Sequence, residues 1–131
     1  MAAAIATLTR DPMLAETLKK IVDETPGALG VIMMGFDGIA VMQHLSDSAE
    51  MEDIESTAME FSFRFIELRK AAESLEMGSI SDITIRAEQR TLLCRVLTDE
   101  YFVALLLADA GHFGKGRWML RTAVPALTAE L

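Results

Sequence analysis

The first half of the chain combines one helical apolar stripe with two short apolar runs. The stripe has spacings of three and four residues, with Asp11 as a possible cap and Pro12 suited to the first turn. Its members are Leu14, Leu18, Ile21 and Val22. After Pro26-Gly27, residues 28–34 and 39–44 are apolar runs of strand length around a Gly-Phe-Asp-Gly turn. This pattern predicts a helix followed by a β-hairpin.

The second half predicts a long helix, three strands and a final helix. Periodic residues 46–77 predict a helix capped by Ser46, Asp47 or Ser48 and stopped by Gly78. Alternation over residues 80–87 predicts a half-exposed strand, and residues 91–98 and 101–108 predict two more. The last strand is apolar throughout, so we expect it in mid-sheet. In the helix after Gly116, Pro125 should cause a kink or a break. The predicted order is α-β-β-α-β-β-β-α.

Two apolar stripes mark the long predicted helix. The first repeats in heptads, and we interpret it as the face packed on the sheet, with a coiled-coil seam as the alternative. Its members are Met51, Ile54, Ala58, Phe61, Phe65, Leu68, Ala72 and Leu75. A second stripe, Met59, Phe63 and Ile66, lies about 140° around the helix. One sheet cannot cover both faces, so the second stripe predicts an interface; scattered exposed apolar residues are the alternative.

Composition limits the class of partner. The net charge of −8 over 131 residues disfavours nucleic acid and anionic membrane surfaces. No apolar run approaches the roughly 20 residues that cross a bilayer. The single cysteine, Cys94, fits a reducing compartment, so we predict a cytoplasmic protein. Residues 1–10 are predicted to be a flexible N-terminal tail rather than a signal peptide, and residues 11–131 a single domain.

Candidate chemical sites are few. Gly111, Gly114 and Gly116 could cradle a phosphate, but Lys115 is followed by glycine rather than serine or threonine, which favours a hinge. His44, His112 and Cys94 fit no metal-ligand spacing, and Cys94 is expected in the core. We therefore predict no catalytic residue, metal or cofactor.

Charged and aromatic residues suggest where a partner protein could bind. Glu52, Glu55 and Glu60 make the first half of the long helix acidic, which suits either a solvated face or a basic partner surface. Trp118 lies near the start of the last helix, beside Arg117 and Arg121, and is a candidate binding residue. Burial of its ring against the sheet is the alternative.

Taken in order, three features resemble the roadblock (dynein light chain roadblock) domain family. They are the segment PGALGVIMMGFDGIAV, the long helix after it, and the closing segment GHFGKGRWMLR. The resemblance extends over nearly the whole chain from Pro12, and the chain is similar to the stand-alone prokaryotic gliding-motility polarity regulators. It implies an α/β (α+β) fold with a five-stranded antiparallel sheet, the long helix on one face and the two terminal helices on the other.

The resemblance also implies a function. Such domains dimerise through the long helix and the edge strand after it, here Met59, Phe63, Ile66 and residues 81–87, including Ile83 and Ile85. They bind a Ras-like small GTPase or another roadblock protein, as activators or adaptors without catalytic residues of their own. A role in cell polarity or motility is therefore expected, and a small-molecule-sensing, profilin-like module is the alternative.

Overall fold

The computed structural model describes residues 12–49, 53–108 and 112–131. The helices are α1 (Pro12–Glu24), α2 (Ile54–Ser74) and α3 (Phe113–Thr128), with a short 3-10 helix at Asp47–Ala49. The strands are β1 (Ala28–Gly35), β2 (Ala40–Leu45), β3 (Asp82–Arg86), β4 (Thr91–Val96) and β5 (Tyr101–Leu107). The predicted order of helices and strands is confirmed. The tail predicted for residues 1–10 and the cap predicted at Asp11 lie outside the described residues.

The five strands form one antiparallel sheet in the order β2-β1-β5-β4-β3. β5 lies at the centre, as its uninterrupted apolar sequence predicts. The hairpin between β1 and β2 turns at Gly38, whose positive φ of 86° favours glycine. β3 is an edge strand, which is also the predicted arrangement.

Each face of the sheet carries its own apolar core. Successive β1 residues alternate between the cores, with Val31 and Met33 on one face and Ile32 and Met34 on the other. The first core is covered by the apolar stripes of α1 and α3, and the second by α2. The buried Cys94 thiol belongs to the α2 face, as expected for a small apolar side chain.

The long helix is shorter than predicted. The periodicity indicated one helix over residues 46–77, but α2 begins at Ile54 and a separate 3-10 helix precedes it. Asp53 sets the start, because its carboxylate accepts hydrogen bonds from the Ser56 amide at 3.0 Å and the Ser56 hydroxyl at 2.8 Å. The caps predicted at Ser46, Asp47 and Ser48 are therefore wrong for this helix.

The heptad stripe of α2 is only partly the face on the sheet. The helical residues buried on this face are Ile54, Ala58, Ser62, Phe65 and Ala72. Leu68 and Leu75, which were predicted in the same stripe, are exposed instead. A straight α-helix drifts about 20° per heptad from a 3.5-residue repeat, so the series that starts at Ile54 rotates off the sheet by Leu68, whereas the series through Phe65 and Ala72 stays on it. Arg69 takes the place of Leu68, with its guanidinium 4.2 Å from the centre of the Phe36 ring.

The last helix passes through Pro125 and continues to Thr128, so the predicted interruption does not occur. Pro125 has no N–H group, so the Arg121 carbonyl lacks its usual hydrogen-bond donor within the helix. Both residues are exposed, and water can donate to that carbonyl instead. Gly116 allows α3 to approach the sheet closely, since a Cβ atom there would lie 2.9 Å from Leu93 Cδ1. This packing role supports neither the predicted hinge nor the phosphate cradle at that glycine.

Replacing Asp53 with alanine should lower the melting temperature at neutral pH. Hydrogen bonds from the Ser56 amide and then the Ser56 hydroxyl hold the pKa of Asp53 below its ordinary value. Because the folded-state pKa is lowered, the stabilisation is complete above the ordinary aspartate pKa of about 3.9 and is lost as the pH falls through the folded value. Thermal melts of Asp53→Ala and the parent should therefore converge in acid. Asp53→Asn, which keeps a capping oxygen, is the control and should melt closer to the parent at pH 7.

Candidate protein-binding surfaces

The free edge of the sheet is the outer side of β3. Within the described residues, β3 pairs with β4 alone. Ser81 accepts a hydrogen bond from Val96, and Ala87 donates one to Arg90, so odd-numbered residues direct their backbone groups towards β4. By the two-residue alternation of an antiparallel strand, Asp82, Thr84 and Arg86 direct theirs outward. An exposed row of this kind is a template for pairing with another strand.

Ile83 and Ile85 lie on the α2 side of this edge. Both are half-buried and pack against the core that α2 covers. Ile83 and Ile85 therefore lie on the same face of the sheet as the long helix, and their role in an interface stays a prediction.

Met59 and Phe63 lie on the other flank of α2, beside the β1–β2 turn. A Cβ atom on Gly38 would be 3.2 Å from Met59 Cγ and 3.3 Å from Phe63 Cζ. Phe63 is 53% exposed, and Met59 and the turn residue Ile39 are also exposed. We call Ile39, Met59 and Phe63 the turn patch. Ile66, predicted as their companion, is half-buried against the core.

A second apolar flank of α2 lies on the side of the helix away from the β1–β2 turn, and its outer members, Leu68 and Leu75, are exposed. Phe65 makes an edge-to-face contact with Phe102 of β5, with ring centres 5.5 Å apart. Phe61 stacks on Phe65 at 6.1 Å, on the side of the helix away from the turn patch. Leu68 and Leu75 continue the line of Phe61 at spacings of seven residues. We call Phe61, Leu68 and Leu75 the edge flank.

The structure thus separates residues that were predicted to form one interface. The predicted interface joined Met59, Phe63 and Ile66 to Ile83 and Ile85, but the turn patch and the β3 edge lie on opposite sides of α2. The edge flank was missed, because the heptad interpretation assigned Leu68 and Leu75 to the buried face. At 100° per residue, Leu68 and Leu75 lie about 60° and 80° around the helix from the buried Phe65, on the side away from the turn patch.

The predicted partner-binding residues are also dispersed. Glu55 and Glu60 are exposed on α2 but five positions apart, about 140° around the helix, and Glu60 lies 3.3 Å from Arg64. Glu52 lies outside the described residues. Trp118 is exposed on α3, so it belongs to the opposite face of the sheet, and the predicted burial alternative is wrong.

The described residues offer little reactive chemistry. Burial raises the pKa of the Cys94 thiol far above its ordinary value, so the thiolate form is strongly disfavoured. No group of three or more histidine, cysteine, aspartate or glutamate side chains within those residues is arranged to hold a metal ion. Nor is any helix in the described part of the chain both long enough and apolar enough to span a membrane.

Comparison with solved structures identifies the family. MglC from Myxococcus xanthus is 34% identical, with 91% of this chain and 99% of that chain covered and a TM-score of 0.66. The chain belongs to the roadblock family. A roadblock/LC7 domain from Streptomyces avermitilis shares 18% identity, with 86% and 95% of the two chains covered and a TM-score of 0.64. No family model and no curated protein sequence matches.

The roadblock fold is also shared with the MglB proteins. An MglB structure with a tetrameric arrangement is 16% identical to this chain, with 88% of this chain and 85% of that chain covered. Its TM-score of 0.80 is higher than that of MglC, although its sequence is more distant. The five-stranded antiparallel sheet and its helices are therefore common to roadblock proteins whose sequences have diverged widely.

Proposed function

We propose that this roadblock protein is a homodimeric, non-catalytic regulator that binds a Ras-like small GTPase or another roadblock protein, in polarity or motility control. The observation that carries the proposal is the free β3 edge, which lies on the same side of α2 as the edge flank with its exposed Leu68 and Leu75 if the helix packs as its buried face indicates. A protein built to act alone is expected to cover or disrupt such an edge.

Self-association would use both features together. Two β3 strands related by a two-fold axis would pair through the outward backbone groups of Asp82, Thr84 and Arg86. The same axis would bring together the edge flanks of the two α2 helices, over Ile83 and Ile85. Burying Leu68, which is 47% exposed in the single chain, would add apolar contact to the backbone hydrogen bonds. The tetrameric arrangement of the MglB relative supports self-association in this family.

The turn patch would remain open in that dimer and is the surface we assign to the partner. It combines two side chains of a rigid helix with Ile39 of a tight turn. A compact apolar cluster with charged surroundings is typical of a protein-binding site. Glu55 and Glu60, also on α2, would orient a basic partner surface rather than supply most of the affinity. Trp118 would be free for a separate contact on the other face.

Replacing Phe63 with aspartate should weaken partner binding by about tenfold or more, because the change places a charge in the desolvated centre of the contact. The measurement is a titration of Ras-like GTPases loaded with GTP or GDP, and of other roadblock proteins, against the parent and the variant. If the protein contacts the switch segments of a GTPase, the affinity should differ between the GTP-bound and GDP-bound forms. The affinity for a roadblock partner should not depend on the nucleotide.

Ala126→Asp is the matched control for this experiment. It adds the same charge at an exposed position of α3, on the other face of the sheet, and should leave partner binding unchanged. If neither class of partner binds the parent at low salt, the proposed regulatory function is wrong. If partners bind the parent and Phe63→Asp equally well, the assignment of the turn patch is wrong.

A further inference from the structure

An arginine-rich groove lies on the α3 face, on the opposite side of the sheet from the turn patch and the edge flank. It has a volume of about 420 Å³ and is lined by Arg95, Phe113, Gly114, Arg117, Trp118 and Arg121. Arg95 comes from β4 and the other residues from residues 113–121 of α3. We call it the cationic groove.

Positive charge is concentrated here in a chain that is otherwise acidic. Five of the twelve lysine and arginine residues line the groove or contact its aromatic rings; they are Arg86, Arg95, Lys115, Arg117 and Arg121. Asp82 lies 3.4 Å from Arg95 and 4.0 Å from Arg117. The Asp82 carboxylate therefore pairs with two of these cations at once, and the groove keeps a net positive charge.

Aromatic rings hold several of the cations in place. The guanidinium groups of Arg86 and Arg117 lie 4.9 Å and 5.6 Å from the centre of the Phe113 ring. The Lys115 ammonium lies 5.0 Å from the centre of the Trp118 ring. Cation–π contacts of this kind restrict long side chains before a ligand arrives, which lowers the entropy lost on binding. Trp118 nevertheless remains 55% exposed, so its ring is available for a further contact.

We propose that the cationic groove binds an acidic peptide segment of another protein that carries at least one apolar side chain. Arginine guanidinium groups form paired hydrogen bonds with carboxylates, and Arg117 and Arg121 lie on adjacent turns of α3. The apolar side chain would pack on Trp118. This binding goes beyond the proposed function and does not depend on it, since the groove and the two α2 surfaces are on opposite faces of the sheet.

The charge distribution favours a short peptide over a long polyanion. Duplex DNA or an anionic membrane would extend beyond the groove and meet the field of a chain with a net charge of −8. A short acidic segment contacts mainly the groove, and more distant charges are screened beyond about 10 Å at 0.1 M salt.

The fluorescence emission of Trp118, the only tryptophan in the chain, reports directly on peptide binding in the groove. The probe is a short tryptophan-free peptide in which leucines are separated by pairs of glutamates. It should shift the Trp118 emission, and added salt should weaken the binding. The same peptide with glutamine in place of glutamate should cause no shift. An acidic peptide that leaves the emission unchanged at low salt would contradict the proposal.

Neutralising two groove arginines, in Arg117→Gln with Arg121→Gln, should weaken peptide binding by about tenfold or more. Lys19→Gln with Lys20→Gln is the matched control, because it removes the same charge from α1 and should have little effect. If the arginine and lysine double variants weaken peptide binding equally, the binding reflects the overall charge of the protein, and the proposed site is wrong. Arg121→Gln alone, at an exposed position, provides a second variant if the double variant does not fold.

Two further probes test the kind of ligand. Vesicles of phosphatidylserine and phosphatidylcholine, and a short DNA duplex, should bind more weakly than the acidic peptide. Tighter binding of either one, lost on neutralising Arg117 and Arg121, would show that the groove serves a different class of ligand and that the peptide assignment is wrong.

Discussion

Replacing Leu68 with aspartate is expected to turn the proposed dimer into a folded monomer. Leu68 is exposed in the single chain, so the change should cost the fold little. In the dimer the edge flanks of two α2 helices would meet, and each would bring an unpaired carboxylate into an apolar contact. We expect the dissociation constant to rise on the order of a hundredfold or more. Sedimentation or light scattering across the micromolar range measures the change directly.

Two other variants make this experiment specific. Thr84→Pro removes an outward N–H group from β3 while sparing the β4 ladder, and it should also favour the monomer. Phe63→Asp places the same charge on the opposite flank of the same helix and should leave the dimer intact. A dimer that resists Leu68→Asp but dissociates in Phe63→Asp would assign self-association to the turn patch, where the sequence predicts the interface.

The order of elements was predictable because each element has a local signal of its own. The α1 stripe of Leu14, Leu18, Ile21 and Val22 is buried as predicted, and β5 is central because all its residues are apolar. Boundaries were harder, as the start of α2 shows. Several residues before Ile54 could cap a helix, and only the hydrogen bonds of Asp53 decide between them.

The positions of the surfaces could be predicted only in part. Apolar periodicity shows that α2 has more apolar residues than one sheet can cover, but not which flank faces which strand. That choice depends on long-range contacts, namely Phe65 on Phe102 and Phe63 beside Gly38. It depends as well on Arg69, whose guanidinium lies over Phe36 and donates a hydrogen bond to the Asp99 carbonyl, so that Arg69 packs on the face to which the heptad pattern assigned Leu68.

The cationic groove was only partly visible in the sequence, for a similar reason. Arg117, Trp118 and Arg121 are neighbours on one helix and could be recognised together. Arg86 and Arg95 come from β3 and β4, and only the packing of α3 on the sheet brings them to the same place. Charge clusters assembled from distant segments leave no local pattern in a sequence.

Truncating Phe65 to alanine should destabilise the fold by about 3–5 kcal/mol, as is typical of a buried phenylalanine. Phe65 is 1% exposed and contacts Phe61 and Phe102, so the change leaves a cavity between α2 and the centre of the sheet. That is a large fraction of the roughly 5–15 kcal/mol that stabilises an ordinary domain. Urea unfolding of the parent and the variant at one protein concentration measures the difference, since dimerisation makes stability depend on concentration.

Phe63→Ala is the control for Phe65→Ala, because Phe63 is two residues away and mostly exposed and should cost far less. The comparison also tests how the two α2 surfaces are connected. Phe65 belongs to neither the turn patch nor the edge flank, yet it anchors the helix that carries both. We therefore expect Phe65→Ala to weaken self-association and partner binding together, whereas Leu68→Asp and Phe63→Asp each affect one. A Phe65→Ala protein that loses less than about 1 kcal/mol and keeps both activities would show that contacts elsewhere along α2 hold it on the sheet.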